Sequence, residues 1–228
     1  CIRDRGWAEH YREVVEPSLH TTVIGIDARH YQPIFRDLIC ANRLAASSSF
    51  GTRKLIYYLG SVDDWLILNN NDDPSPRFDR STNIAQNEGY YFQTIATNMR
   101  GFKQNARNGN NFAVLNSELR WPVVRFFTDK PLKSEFLANL QIIGFADVGT
   151  AWNGPNPYSD ENAFNNIAVT NGSATVRYKN QNDPILGSLG WGLRTKIWGY
   201  FARIDFANGI ENGKFIDSKI HLSIGLDF

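Results

Sequence analysis

Bond-making chemistry has few candidate residues in this chain of 228 residues. The one nucleophile–base pair that can be nominated is Ser188 with His221, because covalent hydrolysis needs a hydroxyl beside a general base. The segment at 187–190, "GSLG", lacks the G-x-S-x-G spacing of a nucleophile elbow and lies within a predicted strand. The chain also contains no P-loop, dinucleotide fingerprint or H-E-x-x-H motif. We therefore expect a protein that is not an enzyme, with a hydrolase built on Ser188 and His221 as the alternative.

Metal and cofactor motifs are also missing from the sequence. The two cysteines, Cys1 and Cys40, form no metal motif, and Cys40 is expected to be a free thiol within a strand. The stretch at 69–80 lacks the alternating acidic ligands and central glycine of a calcium loop. The formal net charge of +1 gives no electrostatic reason to expect nucleic acid. The sequence therefore predicts no metal, no cofactor and no nucleic-acid partner.

Non-covalent chemistry is suggested by a polar loop at 94–111, which contains turn signals and three basic residues. In its middle, Arg100 follows Met99 and precedes Gly101 and Phe102, so a cation adjoins a flexible backbone position and a large aromatic ring. Considered alone, this tetrapeptide is compatible with an anion site on a surface loop. The elements around the loop decide whether Arg100 faces solvent or the rest of the chain.

Those elements are predicted to be strands, because apolar and polar residues alternate with a period of two. The pattern is clearest at 219–228, where Ile220, Leu222 and Ile224 share one face and His221 lies on the other. Alternation, weakest in the first segment, predicts further strands at 6–15, 21–32, 38–50, 111–121, 137–152, 185–196 and 200–208. Each is close to the roughly ten residues that a tilted membrane strand needs.

The connectors between these strands alternate between long and short. Residues 51–111 and 153–184 form long segments, whereas "PIFR" (33–36) and "IWG" (197–199) are tight. Long loops on one side and short turns on the other are typical of an outer-membrane barrel. We therefore predict an all-β fold, an antiparallel transmembrane β-barrel of about eight strands, as one domain over 1–228. A soluble β-sandwich with a solvated polar face shows the same alternation and is the alternative.

The order of motifs along the chain resembles a known family. A long loop with M-R-G-F is followed by "LNSELRWP", "GFADVGTAW", "GWGLR" and "ARIDFA", and then by a terminal aromatic residue. This order resembles the C-terminal half of the BamA-type outer-membrane assembly and translocation barrels, the bacterial surface-antigen superfamily. The phrasing is most similar to versions from Bacteroidota, although Met99 stands where the family usually has Val. The resemblance implies a Gram-negative outer-membrane location, contact with outer-membrane lipid, and action on client outer-membrane or secreted proteins.

The resemblance also supplies a role for the loop tetrapeptide, because the family folds a V-R-G-F/Y loop back into the barrel lumen. It implies that Arg100 engages Glu118 and Asp147, which lie on the polar faces of neighbouring predicted strands. A guanidinium in a confined lumen is costly unless it is paired, and two carboxylates can hold it by bidentate hydrogen bonds. Gly101 then lets the backbone turn, and Phe102 packs on the barrel wall. We define the latch as Met99, Arg100, Gly101, Phe102, Glu118 and Asp147.

The last predicted strand has a second interpretation. Its end resembles the C-terminal β-signal that is recognised during barrel insertion, with His221, Gly225, Leu226 and Phe228 as the signal residues. An ordinary closing strand fits the same pattern, and the two interpretations are compatible because recognition would precede folding.

Eight strands are half of the roughly 16 that the family resemblance implies for a closed barrel. We therefore expect either part of a larger polypeptide, with an N-terminal part elsewhere, or a short member that closes one barrel with a second copy. The chain does not begin with Met, which fits a fragment or a removed signal peptide and leaves lipidation of Cys1 open. The expected function is outer-membrane protein insertion, translocation or secretion. The alternatives are a structural anchor, a passive pore, or the barrel domain of an outer-membrane hydrolase.

Overall fold

The computed structural model describes residues 2–13, 16, 18–66, 77–85, 88–128, 133–171 and 174–225. In chain order the elements are β1 (Ile2–Arg12), β2 (His20–Phe35), β3 (Leu38–Gly51), β4 (Lys54–Leu59), β5 (Trp65–Leu66), β6 (Tyr90–Ile95), β7 (Arg107–Gly109), β8 (Asn111–Pro122), α1 (Val123–Phe127), α2 (Glu135–Ala138), β9 (Gln141–Trp152), β10 (Asn166–Asn171), β11 (Ala174–Lys179), β12 (Leu186–Ile197), β13 (Tyr200–Glu211), β14 (Lys214–Phe215) and β15 (Lys219–Gly225).

One large antiparallel sheet dominates the molecule, in the order β1-β2-β3-β8-β9-β12-β13-β15. These long strands lie in or near the segments in which alternation predicted them, but β1 begins at Ile2 and not at residue 6, and β9 begins only at Gln141 because residues 137 and 138 belong to α2. Their register aligns one row of residues across five strands: Arg43, Asn116, Asp147, Ser188 and Gly209. Residues directly opposite each other in paired strands share a face of the sheet, so this row brings distant parts of the sequence together. The all-β, antiparallel class of the fold is confirmed.

The large sheet is open within the described part of the chain. There, β1 pairs on one side only, with β2, and β1 and β15 do not pair with each other. Beyond β13, β15 meets only the short β5, through Trp65 and Leu66. Closure into a transmembrane barrel therefore stays a prediction.

The two faces of the large sheet are inverted relative to a soluble sandwich, in which apolar faces turn inward. One face, which we call the apolar face, exposes Leu115 (48%), Trp191 (51%) and Ile220 (60%). The other, the polar face, carries buried polar and charged side chains, among them Asn116, Glu118, Asp147, Ser188, Arg203, Asp205 and His221. The observed alternation is thus polar on the covered side and apolar on the exposed side.

Residues 51–111, predicted as one long loop, contain a second sheet that covers part of the polar face. In it β4 pairs with β6 in parallel and with β7 in antiparallel orientation. Alternation could not indicate β4, because "LIYYL" (55–59) is continuously apolar and buried on both sides. The second sheet and the large sheet enclose one core of buried residues: Val23, Ala45, Leu55, Tyr57, Leu59, Met99, Phe102, Ala106, Phe112, Val114, Ala151 and Leu186.

The large sheet has its short connections at the end opposite to the one where β3 and β9 finish. Arg36 and Trp198 adopt left-handed backbone angles, with φ of 49° and 51°, in the tight turns after β2 and β12. The helices α1 and α2 connect β8 to β9 at the same end. Among the described residues, no helix is long and apolar enough to cross a bilayer.

Candidate functional site

The loop that carries Arg100 runs from residue 96 to residue 106 and crosses the polar face of the large sheet; we call it the latch loop. It is held by backbone carbonyls at the end of β4 and just after it. Met99 N–H donates to the carbonyl of Ser61 at 2.8 Å, and Ala106 N–H donates to the carbonyl of Leu59 at 2.9 Å. The second sheet therefore directs Arg100 toward the middle of the large sheet.

The guanidinium of Arg100 contacts both of the carboxylates that the sequence suggested. Its Nε donates to Asp147 Oδ2 at 2.7 Å and its Nη2 to Asp147 Oδ1 at 2.6 Å, which is a bidentate pair. Its Nη1 donates to Glu118 Oε1 at 2.7 Å. The two carboxylates lie on the adjacent strands β8 and β9, so they approach the guanidinium from two strands of one sheet. Charge-assisted bonds of this length and geometry are the strongest that side chains form.

Neighbouring polar groups complete the hydrogen bonding of Asp147. Asn116 Nδ2 donates to Asp147 Oδ1 at 2.9 Å, and Ser188 Oγ donates to Asp147 Oδ2 at 3.4 Å. Asn116 also donates to the carbonyl of Asn98 at 3.0 Å, which ties the sheet directly to the latch loop. The carboxylate is fully buried, so these donors offset the loss of its hydration.

Glu118 is shared between two arginines. Its Oε1 accepts from Arg100, while its Oε2 accepts from Arg120 Nε at 2.9 Å. Arg120 lies two residues further along β8, on the same face of the sheet. The shared carboxylate therefore links the latch loop to the polar face on the short-turn side of the sheet.

Burial and electrostatics act in opposite directions on Arg100, which is 1% exposed. Burial lowers the pKa of the guanidinium, but the adjacent carboxylates of Asp147 and Glu118 outweigh it and raise the pKa above its ordinary value. The guanidinium also lies over the ring of Phe145, 3.6 Å from the ring centroid, in a cation–π contact. Arg100 is therefore a buried cation whose partners are two carboxylates and one aromatic ring.

Gly101 allows the latch loop to turn against β13. Its φ is +84°, and a Cβ built there would lie 2.8 Å from the backbone nitrogen of Gly209. A side chain at position 101 therefore meets both an unfavourable backbone conformation and a close backbone neighbour. The Gly101 N–H donates to His221 Nε2 at 3.0 Å, so the turn is also bonded to the last strand of the sheet.

The two apolar residues of the latch belong to the core between the sheets. Met99 is fully buried and Phe102 is 3% exposed. A Cβ added at Gly209 would lie 2.9 Å from the Phe102 ring, so the ring packs directly on the backbone of β13. Phe102 therefore anchors the latch loop on the large sheet.

Several contacts of the latch were not predicted from the sequence. Asn116, Ser188 and Phe145 lie on the polar face by strand parity, which could have indicated their orientation but not their distance from Arg100. His221 was predicted as a β-signal residue and, in the hydrolase alternative, as the base beside Ser188, yet it is fully buried and contacts the latch loop. These contacts depend on register across four strands, which no local pattern in the sequence specifies.

The remaining sequence candidates are placed as follows. Ser188 donates to Asp147, and His221 accepts from Gly101, so neither is bonded to the other as a nucleophile–base pair. Gly225 is the last residue of β15 and lies opposite Phe201 of β13. Leu226 and Phe228, the other two β-signal residues, lie outside the described part of the chain.

Comparison with protein-family models finds no match for this chain, and comparison with curated proteins finds none either.

Proposed function

We propose that this chain forms part of an outer-membrane β-barrel of the BamA-type superfamily, which takes part in the insertion, translocation or secretion of proteins. The observation that carries the proposal is the burial of Arg100 between Glu118 and Asp147 on the polar face of a sheet whose other face is apolar and exposed. A loop arginine locked to strand carboxylates is the feature that the sequence shares with that superfamily.

The exposed face supports a lipid environment. Its apolar side chains come from strands across the whole sheet, including Ile24, Leu44, Leu115, Val148 and Leu193, each at least 37% exposed. Soluble proteins rarely expose so broad an apolar surface to water, and apolar patches of that size mark contact with membranes or partners. Lipid chains are the partner that fits a face extending over successive strands.

Aromatic residues at the short-turn end fit the same environment. Phe126 packs against Phe35 and Trp121, with ring centroids 6.2 and 5.7 Å away, and Trp198 and Tyr200 are 93% and 54% exposed. Aromatic rings are enriched where a bilayer meets water, and membrane barrels carry them as girdles. The short turns would then lie at one boundary of the bilayer.

Three polar side chains of β3 and β8 on the apolar face are partnered within the sheet. Ser117 Oγ donates to Asn42 Oδ1 at 2.7 Å, and Asn42 Nδ2 donates to the sulfur of Cys40 at 3.5 Å. Partnered side chains of this kind are tolerated in lipid far better than unpaired ones, because an unsatisfied polar group in hydrocarbon costs several kcal/mol.

The proposed mechanism makes and breaks no covalent bond. The latch stabilises the polar face from within, while the end strands β1 and β15 offer unpaired backbone groups to other strands. A client strand can add to such an edge by backbone hydrogen bonds. The client strand would pair next to β15 as it enters the membrane.

The strand directions also allow completion of a larger barrel. Every successive pair in the large sheet is antiparallel, so β1 and β15 run in opposite directions. The β15 edge of one eight-strand unit can therefore pair in antiparallel fashion with the β1 edge of another such unit. That unit is either a second copy or an N-terminal part of the same polypeptide.

Reconstitution tests the proposal. Liposomes that contain the protein are expected to promote folding of an added urea-denatured outer-membrane barrel, measured as its protease-resistant fraction, above the rate in empty liposomes. A structural anchor or passive pore predicts the same rate in both. The native mass in detergent then separates a two-copy barrel from a single chain that needs a further segment.

A further inference from the structure

The outer edge of β15 is occupied in this structure by a short piece of the chain itself. Leu66 lies opposite Leu222, and Trp65 lies opposite Ser223, in antiparallel register. The two-residue strand β5 leaves the other residues of β15 without a strand on that side within the described part of the chain. β5 therefore covers the middle of the edge to which, under the proposed function, a client strand would add.

The segment that delivers β5 is held against the latch loop. Ser61 and Met99 form an antiparallel bridge, and the N–H of Asp63 donates to Asn98 Oδ1 at 2.7 Å. Ser61 and Asp64 both adopt left-handed backbone angles, with φ of 72° and 54°. Non-glycine residues adopt such angles at a cost, so the placement of β5 is maintained by its contacts and not by local preference.

The side chains of β5 follow the two faces of the sheet. Trp65 contacts the ring of His221, with centroids 4.7 Å apart, on the polar face. Leu66 pairs with Leu222 on the apolar face and is 43% exposed. Because His221 also accepts the N–H of Gly101, one side chain contacts both the latch loop and β5.

We propose that the β15 edge is a strand-acceptor site, and that the resting chain fills it with its own Trp65–Leu66. The inference rests on the proposed function and adds the preferred ligand and the regulation of the same site. The preferred ligand is an extended segment with an aromatic residue toward the polar face and an aliphatic residue toward the apolar face. Such a segment displaces β5 and takes over its backbone pairing with Leu222 and Ser223.

The described pairing of β5 with β15 is short enough for a longer incoming strand to displace it. Two paired residues give far fewer backbone hydrogen bonds than an incoming strand that spans the whole of β15. The Arg100 ion pairs do not involve β5, so release of β5 leaves the centre of the latch intact. The acceptor edge can therefore open while the polar face stays locked.

A reversible cross-link between Leu66→Cys and Leu222→Cys tests the proposal in the chain of 228 residues, with Cys1 and Cys40 replaced by Ser. Opposite residues of antiparallel strands have Cα atoms about 4.5–5.5 Å apart, which a disulfide can bridge. Mild oxidation is expected to form the disulfide without a client. Once about nine chains in ten carry the disulfide, client folding in liposomes is expected to fall roughly tenfold, because only the remaining tenth has an edge that β5 can leave. A reductant is expected to restore the rate.

The matched control joins Ile204→Cys to Leu222→Cys, which are opposite each other in β13 and β15. Its oxidation fixes β15 to a neighbour that stays paired, so the rate before and after oxidation is expected to be equal. Failure of the Leu66–Leu222 disulfide to form, or equal client folding with and without it, overturns the acceptor site.

A separate readout distinguishes this inference from the proposed function. If the protein folds no client even after reduction, the proposed function fails. The strand-acceptor site is then tested alone with a synthetic peptide of residues 61–66, SVDDWL. Millimolar peptide is expected to reduce the yield of the Leu66–Leu222 disulfide on mild oxidation, and the version with Ala in place of Trp is expected not to. An unchanged yield with both peptides overturns the acceptor site.

Discussion

Arg100 and Asp147 are 47 positions apart in the sequence and form a fully buried bidentate ion pair, with nitrogen–oxygen distances of 2.7 and 2.6 Å. A second carboxylate, Glu118, binds the remaining side of the guanidinium at 2.7 Å. Burial makes these charges dependent on one another, because any of them left alone would lack both water and a partner. The latch is therefore the part of the molecule in which single substitutions should have the largest effects.

Replacement of Arg100 by Ala is expected to lower the free energy of unfolding by about 3–5 kcal/mol, because it leaves two buried carboxylates without a cation. The triple variant Arg100→Ala, Glu118→Gln, Asp147→Asn is expected to recover part of that loss. Urea unfolding in detergent micelles measures both. Lys179→Ala is the matched control, because its ion pair with Asp160 is 71–73% exposed and should contribute little. Equal stability of Arg100→Ala and the parent would rule out the latch.

Replacement of Gly101 by Ala is expected to destabilise the protein more than the same change at Gly213. Both glycines have positive φ, +84° and +71°, so both variants acquire backbone strain of order 1 kcal/mol. Only at Gly101 does the new Cβ meet backbone, 2.8 Å from Gly209, whereas it meets nothing within 4 Å at Gly213. The difference between the two melting temperatures isolates the close approach. Identical melting temperatures would show that the latch loop does not approach the backbone of β13 closely.

Spin labels report whether the apolar face contacts lipid. A label at Leu189→Cys, on the apolar face, is expected to collide with dissolved oxygen more than with a water-soluble nickel complex when the protein is in bilayers. A label at Trp198→Cys, in the short turn, is expected to show the reverse, since Trp198 is 93% exposed at the end of the sheet. Both variants carry Cys1→Ser and Cys40→Ser. Nickel access at position 189 equal to that at 198 would contradict membrane insertion of the sheet.

Alkaline pH is expected to destabilise the second sheet through Tyr90. Burial raises the pKa of this phenol to about 12, although Asn153, which donates to its oxygen at 3.1 Å, favours ionisation. The unfolded chain ionises first, from a pKa of 10.0, so the contribution of Tyr90 to stability is complete below pH 10 and is lost as the pH rises toward 12. Tyr90→Phe is expected to reduce that loss, measured by unfolding at pH 9 and pH 11. An identical pH dependence in the parent and the variant would contradict the assignment to Tyr90.

The long strands and the two faces of the sheet follow from local alternation. Period-two patterning placed Glu118 and Asp147 on one face and Leu115 on the other before any distance was known, and their burial agrees. Side chains that alternate along an extended backbone must lie on opposite faces, so this property needs only neighbouring residues. The family resemblance of the M-R-G-F tetrapeptide, and not alternation, indicated the loop that contacts the two carboxylates.

Local sequence patterns did not predict strands that are covered on both sides, or contacts between residues that are far apart in the chain. Strand β4 has no alternation because both of its sides are covered, so it was not predicted within the long loop. The resemblance of the chain's end assigned His221 to a terminal signal, whereas its bond to Gly101 joins residues 120 positions apart. Strand β5, as far as the chain is described, has two residues, which are too few to show periodicity.

By itself, the sequence determined the long strands of the large sheet and which of their side chains share a face, and the family resemblance of its motifs indicated the arginine and the carboxylates that could form an ion pair. Only the tertiary structure decided that they meet, that Gly101 is bonded to His221, and that Trp65–Leu66 lies on the edge of β15. Orientation is set by the backbone over a few residues. Contact requires the accumulated register of many strands, which is fixed by packing between segments that are far apart in the chain.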